Sequence, residues 1–338
     1  MAPPTVVVTA PEFLRSENVF TATADFSCVS APFEEDALVG AIAETGARHA
    51  IVGGTVYRGP LYAALPRGSV LARYGVGHDG IDKALATRAG LLCTNTPDVL
   101  HQSVAELTML LIGAAARHLL PVAGDLTQGR WEPRQGLELE GRTLALIGCG
   151  TIGRAVARIA SAGYGMRVVG YSRRGGAGAA SNHYFEEVTN DFGAAVRDAD
   201  FVSLHIPAYP ENVRFIGRDR LALLGTRTWL INTARGSVVD EAALYDALAE
   251  GRLGGAALDV FEREPYEPVN PAHDLRRLPN VVLIPHVGSN TAQASRRMAE
   301  RALRNIRLGE AGDFAQLDLL NPEVLSTRLF VRGLKARP

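Results

Sequence analysis

Three segments of the chain end in residues that can do acid–base and anion-binding chemistry: Ile231-Asn-Thr-Ala-Arg235-Gly236, Leu258-Asp-Val-Phe-Glu262-Arg-Glu264-Pro265 and Leu283-Ile-Pro-His286-Val-Gly288. Histidine titrates near neutrality, so His286 can give or take a proton under ordinary conditions. A carboxylate beside an imidazole favours its charged form and fixes the ring, a task open to Glu264. Arginine grips a carboxylate with two parallel N–H donors and polarises a carbonyl, which suits Arg235. Singly, each has a structural alternative: a surface charge, a solvated loop acid, a capped core histidine. Together, each follows a run of apolar residues that reads as a buried strand. Strand ends are where open α/β sheets bind their ligands.

Upstream stands Gly148-Cys149-Gly150-Thr151-Ile152-Gly153, between a strand-like run (Thr143–Ile147) and a helix-like one (Arg154–Ala160). In that context GxGxxG is a dinucleotide loop. Gly148 permits the tight turn, Gly150 lets backbone approach a pyrophosphate, and Gly153 allows close helix–strand packing. Thr151 and Ile152 open the helix whose N-terminus takes the phosphate. The next strand ends Tyr171-Ser172-Arg173-Arg174, with no carboxylate where an NAD-binding strand carries one for the ribose 2′-hydroxyl. A hydroxyl and two guanidiniums suit a 2′-phosphate, so NADP is favoured over NAD. Cys149 occupies a variable position and needs no chemical role.

The elements that must carry these residues follow from the hydrophobic pattern. Short apolar runs alternate with helix-period segments, the pattern of βα units and parallel sheets. The first set of strands is predicted at 5–9, 49–53, 69–74 and 90–94, with helices over 33–44 and 81–88. The second set is predicted at 142–148, 167–172, 201–206, 228–233, 255–261 and 281–285, with helices over 152–162, 191–198 and 241–250. Asp240 is the expected N-cap of the last of these and Gly251 its stop. A single long helix over 102–120 joins the sets, and another over 291–309 returns to the first. The expected fold class is therefore α/β, with two doubly wound parallel-sheet domains. They are a discontinuous substrate-binding domain (1–101 and 290–338) and a dinucleotide-binding domain (102–289).

Composition bounds the rest. The 338 residues are 47% hydrophobic and 21% charged, as in globular two-domain chains. A net charge of -1 offers no bulk attraction for nucleic acid or an anionic membrane. Cys28, Cys93 and Cys149 lack metal-ligand spacing, so no metal site or disulfide framework is expected and a reducing, cytoplasmic location is the default. The apolar stretch from Val104 to Gly124 is broken by Glu106, Arg117, His118 and Pro121, which points to a buried helix with a possible subunit contact rather than a span of about 30 Å.

The N-T-A-R-G, D-V-F-E-R-E-P and P-H-V-G segments, with the phosphate loop and Gly75-Val-Gly-His-Asp-Gly-Ile-Asp82, resemble the D-isomer-specific 2-hydroxyacid dehydrogenase family over roughly residues 45–325. The ending Leu320-Asn-Pro-Glu-Val-Leu325 is similar too. The resemblance implies a Rossmann-type cofactor domain, a flavodoxin-like substrate domain and a homodimer. It implies hydride transfer between NAD(P)H and a small 2-oxo acid such as glyoxylate or hydroxypyruvate, with His286 as acid/base, Glu264 as its partner and Arg235 as substrate binder. By the same resemblance the N–H groups of Val76 and Gly77 hold the substrate carboxylate. Asp259 and Gly288 contact the nicotinamide carboxamide, Thr233 and Ala234 line the nicotinamide, and His205 and Pro207 lie beside the adenosine. Asn212 stands where the family often has threonine, and His78 and Gly80 replace its commoner residues. A dinucleotide-sensing regulator of the corepressor type is the alternative on the same scaffold.

Overall fold

Runs such as Val6-Val-Val8 and Leu144-Ala-Leu-Ile147 are apolar at every position, which suits strands buried on both faces of a parallel sheet. In the computed structural model, which describes residues 3–175 and 183–327, such runs form most of twelve strands. The first five are β1 (Thr5–Thr9), β2 (Ser27–Ala31), β3 (His49–Val52), β4 (Val70–Arg73) and β5 (Leu92–Thr94). The other seven are β6 (Thr143–Ile147), β7 (Arg167–Tyr171), β8 (Glu187–Thr189), β9 (Phe201–Leu204), β10 (Trp229–Asn232), β11 (Gly255–Leu258) and β12 (Val281–Leu283). The chain divides into two compact units, Met1–Leu100 with Ser289–Pro338, and His101–Gly288.

The first unit is a parallel sheet of order β2-β1-β3-β4-β5, the flavodoxin-like order. The helix Ala292–Ala311 belongs to it. Tyr74 Oη donates to the Ser295 carbonyl at 2.8 Å. At Gly309 an added Cβ would stand 2.5 Å from Val70 Cγ2, so glycine lets this helix lie close on β4. His49, fully buried on β3, lies 3.2 Å from Glu310 of the same helix.

The second unit is a seven-stranded parallel sheet of order β12-β11-β10-β9-β6-β7-β8. Six of its strands, β8-β7-β6-β9-β10-β11, follow the Rossmann order, with the strand order reversing between β6 and β9. Alternate strand residues go to opposite faces. Ala145, Ile147, Val202, Leu204, Leu230 and Leu258 pack with Val196, Leu244 and Leu248. Leu144, Leu146, Phe201, Ile231 and Ala257 pack on the other face with Ala105, Met109, Ile112, Val156 and Ala160. Asp240 caps the helix Glu241–Ala249 by accepting from Ala243 N–H, and Gly251 beyond it has φ of 67°.

Three features differ from expectation. The edge strands β2 and β8 have no sequence counterpart, because they are short and only partly buried, as edge strands usually are. The helices Ala10–Arg15 and Glu17–Ala22 are likewise additional. The long helix expected over 102–120 is two helices, His101–Ala116 and Leu119–Thr127, bent by 65°. Pro121 lacks an N–H and its ring would meet the carbonyl of Arg117 in a continuous helix, so the chain breaks at His118 (φ 50°) and starts again. Among the described residues no single helix is long and apolar enough to cross a membrane, although this bent pair passes that test by length and composition.

Candidate active site

The phosphate loop follows β6 at the sheet's switch point. Gly148 has φ of 110°, a region that strains any L side chain, and an added Cβ would lie 2.5 Å from the His205 carbonyl oxygen. At Gly153 it would lie 2.1 Å from the Gly148 oxygen. Both positions require glycine because backbone meets backbone. Gly150 differs: nothing stands within 4 Å of its Cβ position. It is the N-cap of the helix Thr151–Tyr164 and brings no side chain to that end, the arrangement in which a helix start accepts a phosphate. The loop therefore fits a dinucleotide pyrophosphate.

A recess of about 280 Å³ opens beside the loop, lined by Gly148, Cys149, Gly150, Tyr171, Ser172, Arg173, Arg174, Ile206, Asn212 and Phe215. Of the residues expected at the cofactor, the two loop glycines, Ser172, Arg173, Arg174 and Asn212 meet here. Arg173 also reaches Glu211 at 3.4 Å across the recess. Asn212 is buried and donates from Nδ2 to the Pro207 carbonyl at 2.8 Å. From the His205-Ile206-Pro207 segment it is Ile206 that lines the recess. The His205 ring lies 3.0 Å from Ser203 Oγ, and burial pulls its pKa down to about 4, so it is neutral. Cys149 lines the recess as a neutral thiol, pushed up to about 11 by burial. Tyr171, Ile206 and Phe215 carried no sequence signal beyond being apolar; they meet because β7 and β9 flank β6 and the Phe215 ring packs on Tyr171, with centroids 5.8 Å apart.

Arg235, Glu264 and His286 follow the C-terminal ends of β10, β11 and β12, three adjacent strands. His286 Nδ1 and Glu264 Oε2 are 2.6 Å apart, with side chains 44% and 36% exposed. Burial on its own would raise the Glu264 carboxyl. The hydrogen bond and charge of His286, the Phe261 N–H (3.0 Å) and the Arg235 charge outweigh it and hold the carboxyl below the usual range. Glu264 is thus ionised, with His286 and Arg235 beside it.

Backbone geometry presents each group. Asn232, buried at the end of β10, accepts from Ala234 N–H and donates to the Arg235 carbonyl (3.0 and 2.9 Å), which folds the turn that carries the arginine. Its role went unassigned from sequence, although a buried asparagine three residues before the arginine is the available signal. His286 has φ of 50°, uncommon for a residue with a side chain. Asp259 secures that conformation. Its carbonyl accepts from His286 N–H at 2.8 Å, and its carboxylate accepts from Val287 N–H (2.6 Å) and Gly288 N–H (2.9 Å). Asp259 is 1% exposed, so its first evident task is to hold the histidine loop. Thr233 is buried with Oγ1 2.9 Å from Thr108 Oγ1 on the helix His101–Ala116, and Ala234 is half-buried beside it.

In the first unit, Val76 and Gly77 lie in the loop after β4. Gly75 (φ 138°) donates to Thr96 Oγ1 at 2.9 Å, and Asn95 Nδ2 donates to the Val76 carbonyl at 2.8 Å. His78 Nδ1 in the same loop lies 3.3 Å from Nζ of Lys83, the first residue of the helix Lys83–Ala89.

A switch-point dinucleotide loop with a hydrogen-bonded Glu–His pair and an arginine at neighbouring strand ends defines a nicotinamide-dependent oxidoreductase. A family model described as "D-isomer specific 2-hydroxyacid dehydrogenase, NAD binding domain" matches residues 109–288. The chain is 39% identical over 271 residues to a glyoxylate reductase of Thermococcus litoralis, covering 78% of this chain and 80% of that one. It is similar to the solved structure of an NADPH-dependent glyoxylate/hydroxypyruvate reductase from Sinorhizobium meliloti in complex with NADP and malonate. There the TM-score is 0.75 at 31% identity, over 90% of this chain and 93% of that one. A 2-hydroxyacid dehydrogenase from Ketogulonicigenium vulgare matches with a TM-score of 0.76 at 31% identity, over 92% and 96% of the two chains. The chain belongs to the D-isomer-specific 2-hydroxyacid dehydrogenase family and is an NAD(P)-dependent enzyme of that class. The regulator alternative is not favoured by these similarities.

Proposed function

We propose that this enzyme reduces a short 2-oxo acid, glyoxylate or hydroxypyruvate, at the expense of NADPH. The 2.6 Å Glu264–His286 pair carries this reading, because it is the proton source such a reduction needs. The bound nicotinamide supplies the hydride. As charge develops on the substrate's carbonyl oxygen, protonated His286 delivers a proton to it, while Glu264 holds the ring and favours its charged form. Arg235 binds the substrate carboxylate and polarises the carbonyl. Val76 and Gly77 N–H groups are assigned to the same carboxylate, and Thr233, Ala234, Asp259 and Gly288 to the nicotinamide side. Thr151, Ile152 and Gly153 act with Gly148 and Gly150 on the pyrophosphate, and His205 and Pro207 are assigned a place by the adenosine.

The preference for NADPH is supported by Ser172, Arg173 and Arg174 lining the recess and by the lack of a carboxylate at the end of β7. The similarity to glyoxylate and glyoxylate/hydroxypyruvate reductases supports the substrate class. A cytoplasmic homodimer completes the proposal, supported by three free cysteines and by exposed Leu110, Leu119, Leu120, Leu126 and Trp131 within one short stretch. The test is a steady-state comparison of NADPH and NADH with a panel of short 2-oxo acids, for the wild type and for Arg173→Ala with Arg174→Ala. The double variant should lose affinity for NADPH selectively. Equal losses for both cofactors would remove the 2′-phosphate role, and no turnover with any acid would sink the substrate reading.

A further inference from the structure

Glu241 is a buried carboxyl to which the reaction, as described above, gives no task. It is the first residue of the helix Glu241–Ala249, is 4% exposed, and its Oε2 is buried without a hydrogen-bond partner. Its Oε1 accepts from the N–H of Glu262, two residues before Glu264. In return, Glu262 Oε1 accepts from Glu241 N–H at 3.1 Å. The two side chains thus tie two segments together reciprocally: the stretch that begins at Arg235 and the stretch that ends at Glu264. Between these ties the backbones already touch. A Cβ on Gly236 would fall 1.8 Å from the Phe261 carbonyl carbon, so the segments meet with no side chain between them.

We propose that Glu241 is a positioning residue for the reaction, clasping with Glu262 the Arg235 segment onto the Glu264 segment and so setting the arginine's place relative to the Glu264–His286 pair. The proposal rests on the reading that Arg235, Glu264 and His286 are the catalytic groups.

The surroundings decide in which state the clasp closes. Glu262 and Glu264 face Glu241 with negative charge, Arg263 with positive charge, and Arg214 stands 3.5 Å from the far oxygen of Glu262. Burial first, then these two carboxylates, push the Glu241 carboxyl up to about 7, against the Glu262 N–H and Arg263, which lower it. A neutral acid leaves its unpartnered Oε2 uncharged. An ionised one places a third carboxylate, itself buried, against Glu262 and Glu264, and the clasp loosens. The device therefore favours the assembled site below about pH 7 and relaxes it above.

The experiment measures kcat and both KM values with NADPH and glyoxylate from about pH 6 to pH 8.5, for wild type, Glu241→Gln and Glu241→Ala. Wild-type reduction falls with pH also because His286 must carry a proton, and the ratio of variant to wild type cancels that effect. Gln is a permanent mimic of the neutral acid, so the kcat ratio of E241Q to wild type should rise about threefold or more across the range. E241A should lower kcat by about 10- to 100-fold, the scale of an ångström-sized misplacement. Its KM for the dinucleotide should stay within about twofold, because the phosphate loop is not part of the clasp. A ratio flat with pH, wild-type kcat in E241A, or a dinucleotide KM that rises in step with the fall in kcat would each overturn the proposal. Should E241A fail to fold, Glu262→Gln decides: it removes a charge that raises Glu241, so the neutral-pH inflection must move acidward. His286→Ala is assayed alongside. Full turnover there would overturn the assignment of the catalytic groups, whereas its loss beside a flat E241Q ratio would overturn the clasp alone.

Discussion

His286 and Glu264 form the chemical centre of the proposed mechanism, and each can be tested by a change that spares the fold. His286→Ala should lower the chemical step by about 10²–10⁴-fold, the usual worth of a general acid, in single-turnover reduction of glyoxylate. Wild-type turnover would remove His286 from the mechanism. Glu264→Gln keeps the shape and deletes the charge. That substitution removes the ion pair with His286 that helps hold the Glu264 carboxyl low. Its loss should move the falling limb of the reduction profile to lower pH, and an unmoved limb would argue against the pairing. Both residues stood out in the sequence because histidine and glutamate beside the motif's proline and glycine are chemically conspicuous. Asp259 was legible only as a possible cofactor contact. Its carboxylate is engaged with two backbone N–H groups of the histidine loop, a task invisible without coordinates because it depends on β11 lying next to β12.

Element-scale behaviour turns on how closely backbones approach at the switch point. Gly153→Ala would set a methyl 2.1 Å from the Gly148 oxygen, so the helix Thr151–Tyr164 or the loop must move. The expected outcome is a stability loss of about 1–3 kcal/mol, typical of overpacking. It should bring a raised dinucleotide KM with little change in kcat at saturation. Thermal unfolding and steady-state kinetics check this; an unaltered KM would mean that the loop tolerates the shift. Glycine spacing announced this loop, and the strands with continuous apolar runs were equally plain. The break at His118 was not, since the helical period continues through residues 102–120 and only Pro121 signals the interruption. Edge strands β2 and β8 were missed for the complementary reason, having too few buried residues to leave a pattern.

At the scale of the whole molecule, the unusual feature is a unit assembled from both ends of the chain. Glu310 on the helix Ala292–Ala311 secures the return. It lies 3.2 Å from His49 and 2.8 Å from Arg48. The His49 hydrogen bond chiefly, against burial and with help from Arg48, draws the Glu310 carboxyl down to about 2. A carboxyl lowered on folding stabilises above its unfolded value, and that stability fades as pH falls from about 4.5 through about 2. Glu310→Gln should therefore cost roughly 1–2 kcal/mol near neutrality, discounted for partial exposure, and flatten the acid limb of the unfolding profile. An unchanged acid limb would show that the helix is held by apolar packing alone. The sequence by itself determined the fold class, the cofactor loop and the Arg–Glu–His set, because each is written in local periodicity or in side chains of distinctive chemistry. Only the tertiary structure decided what holds those groups in place, as with Asn232 under Arg235, Asp259 under His286, and Glu241 against Glu262. Asn232 acts within its own turn, but Asp259 and Glu241 act through side-chain-to-backbone hydrogen bonds between segments distant in the chain, and sequence carries no record of which segments become neighbours until the sheet is assembled.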